Sequence, residues 1–318
     1  MQVKVLIFSH EADLDGLYSA TIGLMRYPQA MTVFLGYGIE NFQKIGNFVH
    51  SATHFSKERG LVIIADLGLN DDTIEACRQI FSEAMANGWK LVWVDHHPWS
   101  QAALEMARQY CELVHDPSGN KCAADLMAEK LLPGNELAAR LASMAHTMDF
   151  FTKDQYLTPI TELIKYYQTL PDFYERLSAL ARKSARGILW DVEMHGDYSK
   201  YSKMRDEAKV QVMAEMQVRS VSGIKVAYVP TSPYLQSSLF SEEVFAATGT
   251  DLAMFYSTKG KVSIRRSNEK VSCRRVAANL PEGGGHDYAA GATFRSNPGD
   301  HVAVMAELEA AVAKAMAG

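Results

Sequence analysis

Residues 90–98 read KLVWVDHHP, and this stretch decides how the rest of the chain is interpreted. Its apolar part lies between a glycine and a proline and predicts a fully buried β-strand. One carboxylate and two imidazoles follow at once: Asp95, His96 and His97. In an open parallel α/β sheet, ligands bind outside the carboxyl ends of the strands, so we expect a site here. For this stretch alone, the alternative is a turn at Asp95 followed by ordinary surface histidines.

Two earlier apolar runs also end in candidate metal ligands. Residues 3–9 (VKVLIFS) precede the string HEADLDG, and residues 61–65 (LVIIA) precede a single aspartate. The polar residues delivered in this way are His10, Asp13, Asp15 and Asp66. One aspartate could simply cap the following helix. The full string contains more than a cap requires, and its residue types are suited to binding a divalent cation.

The order of predicted elements indicates an α/β protein with two domains. Apolar runs alternate with amphipathic, helix-like stretches over the first half of the chain, which is typical of βαβ units. We predict a catalytic domain over residues 1–190, with a mostly parallel sheet flanked by helices and carrying the metal site. Residues 191–222 are predicted to be a helical linker. Residues 223–318 are predicted to form a smaller α/β domain with a mixed sheet.

A glycine-rich segment stands out in the second domain. Residues 281–291 read PEGGGHDYAAG, and the three consecutive glycines, Gly283, Gly284 and Gly285, leave backbone N–H groups free to approach an anion. His286 and the earlier Arg265 could add charge-assisted contacts to a phosphate or a terminal ribose. Taken alone, a glycine run is more often a flexible loop.

Composition excludes several classes of protein. The net charge of −5 argues against a protein that grips long nucleic acid through many phosphates. The four cysteines contain no C-x-x-C pair, so a disulfide framework or structural zinc site is not expected. No apolar stretch reaches the length that crosses a bilayer, and the chain opens on a strand-like run rather than a signal segment. We therefore expect a cytoplasmic protein with no membrane partner.

The candidate ligands favour a two-metal site. In a parallel sheet, Asp13, Asp15, Asp66, Asp95 and Asp149 would meet at one edge with His96. Five ionised carboxylates repel one another unless cations offset their charge. Carboxylate and imidazole ligands without a thiolate suit Mn²⁺, or alternatively Mg²⁺, better than structural zinc. Two such ions sharing a carboxylate activate water, most often for attack on a phosphate ester.

Four segments in this order resemble the motifs of the DHH phosphoesterase superfamily: SHEADLDG, IIADLG, VDHHP and TMDF. The resemblance implies one ion held by His10, Asp13 and Asp66. It implies a second ion held by Asp15, Asp66, His96 and Asp149, with Asp66 bridging. Asp95 would support the site and His97 would face the scissile phosphate. The spacing between the motif's histidine and its first aspartate varies by one residue among relatives.

The second domain resembles the nucleic-acid-binding domain of nanoRNases and RecJ, through SIR followed by GGGHDYAAG. Together the resemblances imply a manganese-dependent phosphodiesterase that cuts short oligonucleotides, such as nanoRNA or pGpG, to mononucleotides. Arg265 and the GGGH segment would hold the far end of the substrate.

Several alternatives stay open at this stage. They are cleavage of cyclic dinucleotides or of 3′-phosphoadenosine phosphate, RecJ-like trimming of single strands, and nucleotide binding without catalysis. The sequence also leaves open RNA or DNA preference, cleavage polarity and oligomeric state, a homodimer included.

Overall fold

The computed structural model describes residues 4–54, 60–150 and 156–317. The chain divides into two compact units, Met1–Tyr198 and Ser199–Gly318. Within the described ranges, no helix combines the length and the apolar character needed to cross a bilayer.

The first unit is built on a five-stranded parallel sheet in the order β2-β1-β3-β4-β5. The strands are β1 (Lys4–His10), β2 (Met31–Leu35), β3 (Gly60–Ala65), β4 (Lys90–Asp95) and β5 (Glu112–His115). The three central strands, β1, β3 and β4, are buried on both faces, which explains why their runs are continuously apolar instead of alternating.

Helices cover this sheet. They are α1 (Leu14–Arg26), α2 (Ile39–His54), α3 (Ile74–Ala86), α4 (Gln101–Tyr110), α5 (Ala123–Leu131), α6 (Glu136–Asp149), α7 (Thr158–Tyr167) and α8 (Phe173–Ser184), with a short 3-10 helix at Asp71–Thr73. On one face, alternate strand residues such as Phe8, Ile64 and Trp93 pack with Phe42 of α2 and Phe81 of α3. This arrangement confirms the predicted parallel sheet with flanking helices.

The strand register brings the candidate ligands to one edge of the sheet. Ser9 pairs with Ala65, and Ala65 pairs with Val94. The residue that follows each of these three therefore lies at the same level of the sheet. Because all the strands run in the same direction, the register places His10, Asp66 and Asp95 side by side.

The second unit has a six-stranded mixed sheet in the order β10-β11-β9-β8-β7-β6, in which β7 and β8 are parallel and the other pairs antiparallel. The strands are β6 (Gln217–Val221), β7 (Ile224–Pro230), β8 (Leu252–Tyr256), β9 (Lys261–Arg266), β10 (Gly284–Gly285) and β11 (Ala289–Thr293). The later helices of the chain are α9 (Val192–Glu215), α10 (Ser237–Thr248), α11 (Cys273–Ala277) and α12 (His301–Ala317). The predicted mixed sheet is confirmed.

The predicted helical linker over residues 191–222 is wrong in its last part. Helix α9 ends at Glu215, and Gln217–Val221 forms the edge strand β6. Ser222 and Gly223 both have positive φ, +49° and +82°, and they join β6 to β7 as a two-residue hairpin turn. A Ser-Gly pair between two β-prone runs was the available signal, and the charged character of the segment obscured it.

Candidate functional site

His10, Asp13 and Asp66 form the first group of candidate ligands. The Nδ1 atom of His10 lies 3.1 Å from Asp13 Oδ2 and 3.6 Å from Asp66 Oδ2. One potential ligand atom from each of the three residues lies within 4.8 Å of the other two. The structure therefore brings together the residues expected to hold one ion.

Asp15, His96 and Asp149 form the second group, also with ligand atoms within 4.8 Å of one another. The Nε2 atom of His96 lies 3.6 Å from Asp15 Oδ2, and its Nδ1 lies 3.8 Å from Asp149 Oδ2. His96 Nε2 is also 3.5 Å from Asp66 Oδ1. One oxygen of Asp66 thus faces His10 and the other faces His96, as a bridging carboxylate requires.

The polar atoms where the two groups meet are arranged as ligands of divalent cations rather than as hydrogen-bond partners of one another. Asp66 Oδ2 and His96 Nε2 are buried, and neither has a hydrogen-bond partner among the described residues. Buried polar atoms without partners are rare because desolvation is costly. Ligand atoms that share an ion with bonds near 2.1 Å lie about 3 Å apart, close to the separations found here. The donor set fits Mn²⁺ or Mg²⁺.

The electrostatics show how strongly the site needs positive charge. Burial raises the pKa of Asp15 well above its usual range, and the charges of Asp66 and Asp13 raise it further. Burial likewise raises the pKa of Asp149. Burial lowers the pKa of His10, but the hydrogen bond of Asp13 and the charges of Asp13 and Asp66 overcome this and raise it to about 10. Without cations, the protons on the histidines partly compensate the carboxylates.

Asp66 owes its position to an unusual backbone conformation. Its φ is +57°, in the left-handed region that residues other than glycine seldom adopt. Its N–H donates to Val94 O at 3.0 Å, which ties the residue to the end of the neighbouring strand. Backbone strain of this kind collects at functional sites.

Asp13 caps helix α1 and also faces the site. Its Oδ1 accepts a hydrogen bond from Gly16 N at 3.1 Å, while Oδ2 points to His10. The capping and ligand interpretations of Asp13 are therefore compatible. Gly16 is required at its position because a Cβ there would lie 2.1 Å from the carbonyl oxygen of His10.

Asp15 is held by the N-terminus of α5, a contact that the sequence analysis missed. Its Oδ2 accepts from Ala123 N at 2.8 Å, and its Oδ1 accepts from Ala124 N at 2.7 Å. The partial positive charge of a helix N-terminus stabilises a carboxylate there. Asp125 on the same turn is hydrogen-bonded to His146 Nδ1 at 2.6 Å, which fixes α5 against α6. The available signal for this helix N-terminus was the segment KCAAD, in which small residues precede an aspartate at the third helical position.

Asp95 and His97 form a separate hydrogen-bonded pair. Asp95 is fully buried and accepts bonds from the backbone N–H of His97 at 3.0 Å and from Trp99 Nε1 at 2.8 Å. His97 Nδ1 lies 3.0 Å from Asp95 Oδ1. Although burial lowers the pKa of His97, the hydrogen bond and charge of Asp95 raise it overall. Asp95 is thus placed to orient His97 and leaves the Nε2 atom of His97 for other partners.

Tyr37 is a further residue of this site that the sequence analysis missed. Its hydroxyl lies 3.2 Å from His97 Nε2, and its ring centroid lies 4.7 Å from that of His10. Burial and the nearby carboxylates raise the pKa of Tyr37, so the phenol keeps its proton. The signal was its place two residues after β2, at the carboxyl edge where the other site residues lie.

The glycine run in the second unit is partly explained by packing. A Cβ on Gly283 would lie 1.7 Å from Ala277 O, and one on Gly285 would lie 2.6 Å from Ala290 Cα. Gly285 also has a φ of +129°. A Cβ on Gly284 would meet nothing within 4 Å. Of the three glycines, Gly284 alone borders open space, and ligand binding by the run stays a prediction.

Arg265 of β9 and His286, which follows β10, both lie next to Ala289 of β11 in this sheet. Arg265 pairs in register with Ala289 of β11, and its Nη1 donates to Ile264 O at 2.9 Å. Burial lowers the pKa of Arg265. The backbone N–H of His286 donates to Ala289 O at 2.7 Å. The structure thus groups these predicted binding residues, and their role with substrate stays a prediction.

Comparison with known proteins identifies the first unit. Residues 4–154 match the family model described as DHH family, N-terminal domain. This part of the chain belongs to the DHH family. The DHH-family region contains all six candidate metal ligands, and members of the family are phosphoesterases.

Several solved structures are similar to this chain at low sequence identity, and one of them has a TM-score above 0.5. An exopolyphosphatase-related protein from Bacteroides fragilis is 13% identical over 100% of this chain and 94% of its own, with a TM-score of 0.56. An uncharacterised protein from Helicobacter pylori G27 is 16% identical over 98% and 99%, with a TM-score of 0.46. RecJ from Thermus thermophilus, solved with Mg²⁺, is 15% identical with a TM-score of 0.49, and the match covers 98% of this chain and 50% of RecJ. No curated protein matches.

Proposed function

We propose that the protein is a manganese-dependent phosphodiesterase that hydrolyses very short oligonucleotides, such as nanoRNA and linear pGpG, to mononucleotides. The observation that carries the proposal is the position of Asp66 in the DHH-family region, with one carboxylate oxygen toward His10 and the other toward His96. Two divalent ions bound there would activate water and stabilise charge on the attacking and leaving oxygens.

The ligands divide into two sets that share one residue. His10, Asp13 and Asp66 would hold one ion. The other would be held by Asp15, His96 and Asp149, together with the second oxygen of Asp66. Each set combines carboxylate and imidazole donors without a thiolate, which favours Mn²⁺ or Mg²⁺ over structural zinc.

His97 is the residue best placed to act on the substrate directly. With Nδ1 hydrogen-bonded to Asp95, its Nε2 is the atom available to a phosphate oxygen or to the leaving group. Because the pKa of His97 is raised, the ring is able to carry the proton that a leaving alkoxide needs. The Tyr37 hydroxyl contacts this nitrogen, so we expect it to shift toward the substrate or to bind it when the substrate arrives.

Short substrates are favoured by charge and by the glycine-rich edge. A net charge of −5 gives little general attraction to a long polyanion. Recognition by a few residues such as Arg265, Gly284 and His286 suits a nucleotide end rather than an extended strand.

The test measures products from 5′-labelled RNA and DNA of two to about twenty nucleotides, a range that runs from one dinucleotide to a strand engaging many phosphates. Each is assayed with Mn²⁺, Mg²⁺ or EDTA, beside cyclic dinucleotides, 3′-phosphoadenosine phosphate and pyrophosphate. Steep preference for two to four nucleotides with Mn²⁺ is the expected result. Efficient cutting of long strands would contradict the proposal and favour RecJ-like trimming. Turnover of pyrophosphate alone would show that nucleotides are not the substrates.

A further inference from the structure

The segment after the glycine run carries two stacked aromatic rings. The centroids of His286 and Tyr288 lie 5.3 Å apart, and the ring planes differ by 3°. Tyr288 is 62% exposed, the largest exposure among the bulky apolar side chains of the described part of the second unit apart from Val210 and Val302. A parallel pair of exposed rings is a surface on which a third flat ring can stack.

The intervening residue holds this pair in place. The carbonyl of Asp287 accepts from Cys273 N at 2.9 Å, and its carboxylate accepts from Ser272 Oγ at 2.5 Å. The adjoining backbone is tied to β11 through the His286 N–H to Ala289 O bond. Because the segment is fixed before any ligand arrives, binding loses little conformational entropy.

Arginines lie beside the residue between the two rings and on the strand next to this segment. Arg274 Nε lies 3.6 Å from Asp287 Oδ1, and Arg265 lies opposite Ala289 in the sheet. The hydrogen bond from Ser272, followed by the charges of Arg274 and Arg266, lowers the pKa of Asp287. The one carboxylate of the segment is therefore already compensated. Guanidinium groups beside an aromatic surface match a ligand with a flat ring and a phosphate.

We propose that His286 and Tyr288 form a stacking platform for one nucleobase, with Arg274 beside it for the attached phosphate. The proposal deepens the proposed function and rests on it. The platform selects nucleotides over inorganic polyphosphate, which has no ring to stack. It tolerates any base, because every base offers a flat face.

The test uses the full chain in EDTA, where metal-dependent hydrolysis is absent, and a dinucleotide containing 2-aminopurine. Fluorescence of this base is quenched on stacking and reports the contact directly. For the wild type we expect saturable quenching. Tyr288→Leu should weaken binding about tenfold, the size of a typical base-aromatic contact, and Tyr288→Phe should keep a ring and most of the affinity.

An abasic analogue of the dinucleotide is the matched control. Its binding, measured by competition with a labelled phosphate ligand, should be the same for wild type and Tyr288→Leu. Two results would overturn the platform. One is equal quenching by wild type and Tyr288→Leu, and the other is that Tyr288→Leu weakens binding of the abasic analogue as much as binding of the dinucleotide. Failure of the proposed function looks different: quenching would persist in EDTA, while no oligonucleotide is cut when Mn²⁺ is added.

Discussion

Buried carboxylates occur in both units, but their surroundings are opposite. In the second unit, Asp251 accepts hydrogen bonds from Lys225 N, Asn268 Nδ2 and Lys270 Nζ, each at 2.8 to 2.9 Å. These donors lower the pKa of Asp251 to about 2. In the first unit, burial and neighbouring carboxylates raise the pKa of Asp15 despite its two backbone donors. A buried carboxylate with enough hydrogen-bond donors stabilises the fold. A group of buried carboxylates with too few donors needs a positively charged ligand.

The two candidate binding regions also differ in burial and in the groups that they offer to a ligand. In the first unit the candidate ligands are buried or half-buried side chains that converge at the end of a sheet. At the glycine-rich edge of the second unit, residues 284–288 are exposed and the contribution is largely backbone and ring faces. The first region is suited to cations and bond cleavage, and the second is suited to recognition.

The largest expected effect comes from Asp66→Asn. Asparagine keeps the shape and tolerates the positive φ, but it removes the charge shared by the two ligand groups. We expect a loss of turnover on a dinucleotide of at least about a thousandfold, because charge stabilisation by two ions depends on this residue. The matched control is Asp72→Asn, an exposed aspartate of the same unit, which should keep wild-type kinetics. Retention of more than a tenth of the activity by Asp66→Asn would contradict the shared-ligand arrangement.

Substitution in the glycine run separates packing from recognition. Gly283→Ala places a Cβ against Ala277 O, and we expect it to destabilise the second unit by about 3 kcal/mol. Gly284→Ala meets open space and should keep the stability while reducing nucleotide affinity. Urea unfolding followed by circular dichroism, together with dinucleotide binding, measures both. If Gly284→Ala binds nucleotide like the wild type, the glycines serve packing only.

Removal of the Tyr37 hydroxyl tests the connection between the metal ligands and His97. Tyr37→Phe keeps the ring on His10 but loses the hydrogen bond to His97 Nε2. We expect kcat to fall about tenfold, because one hydrogen bond that orients a reacting group is lost. Mn²⁺ affinity measured by calorimetry should stay unchanged. Loss of metal affinity with unchanged kcat would assign Tyr37 to the metal ligands instead.

The smallest expected effect is the acid sensitivity of Asp251. Its folded pKa of about 2 lies below the usual 3.8, so its stabilising contribution is present above pH 4 and is lost as the pH falls toward 2. Asp251→Asn should lower the unfolding free energy of the second unit at pH 7 by about 1 to 2 kcal/mol, and the difference from wild type should shrink toward pH 2. Glu269→Gln, an exposed neighbour, should show no such difference. A pH-independent difference would mean that shape, not charge, stabilises this residue.

Most of the first unit could be predicted from the sequence because its strands and candidate ligands are encoded in short, continuous segments. Each apolar run ends in polar residues, and the parallel register then carries His10, Asp66 and Asp95 to one level. Contacts between distant segments carry no such pattern. The amides of Ala123 and Ala124 reach Asp15 across more than a hundred residues, and Tyr37 meets His97 only after the sheet has formed.

The second unit was harder to predict because its glycines serve two purposes. Gly283 and Gly285 are required by close packing and by backbone conformation, and a run of three glycines does not show which of them borders open space. Strand β6 was missed because its short turn, Ser222 and Gly223, follows a charged helical segment.

The most direct test of the central claim is the electron paramagnetic resonance spectrum of the protein loaded with Mn²⁺. If Asp66 bridges two ions, wild type binds two Mn²⁺ per chain and shows an exchange-coupled spectrum. Asp66→Asn should lose the coupling and at least one ion. A single bound ion, or two ions with uncoupled spectra in the wild type, would contradict the account.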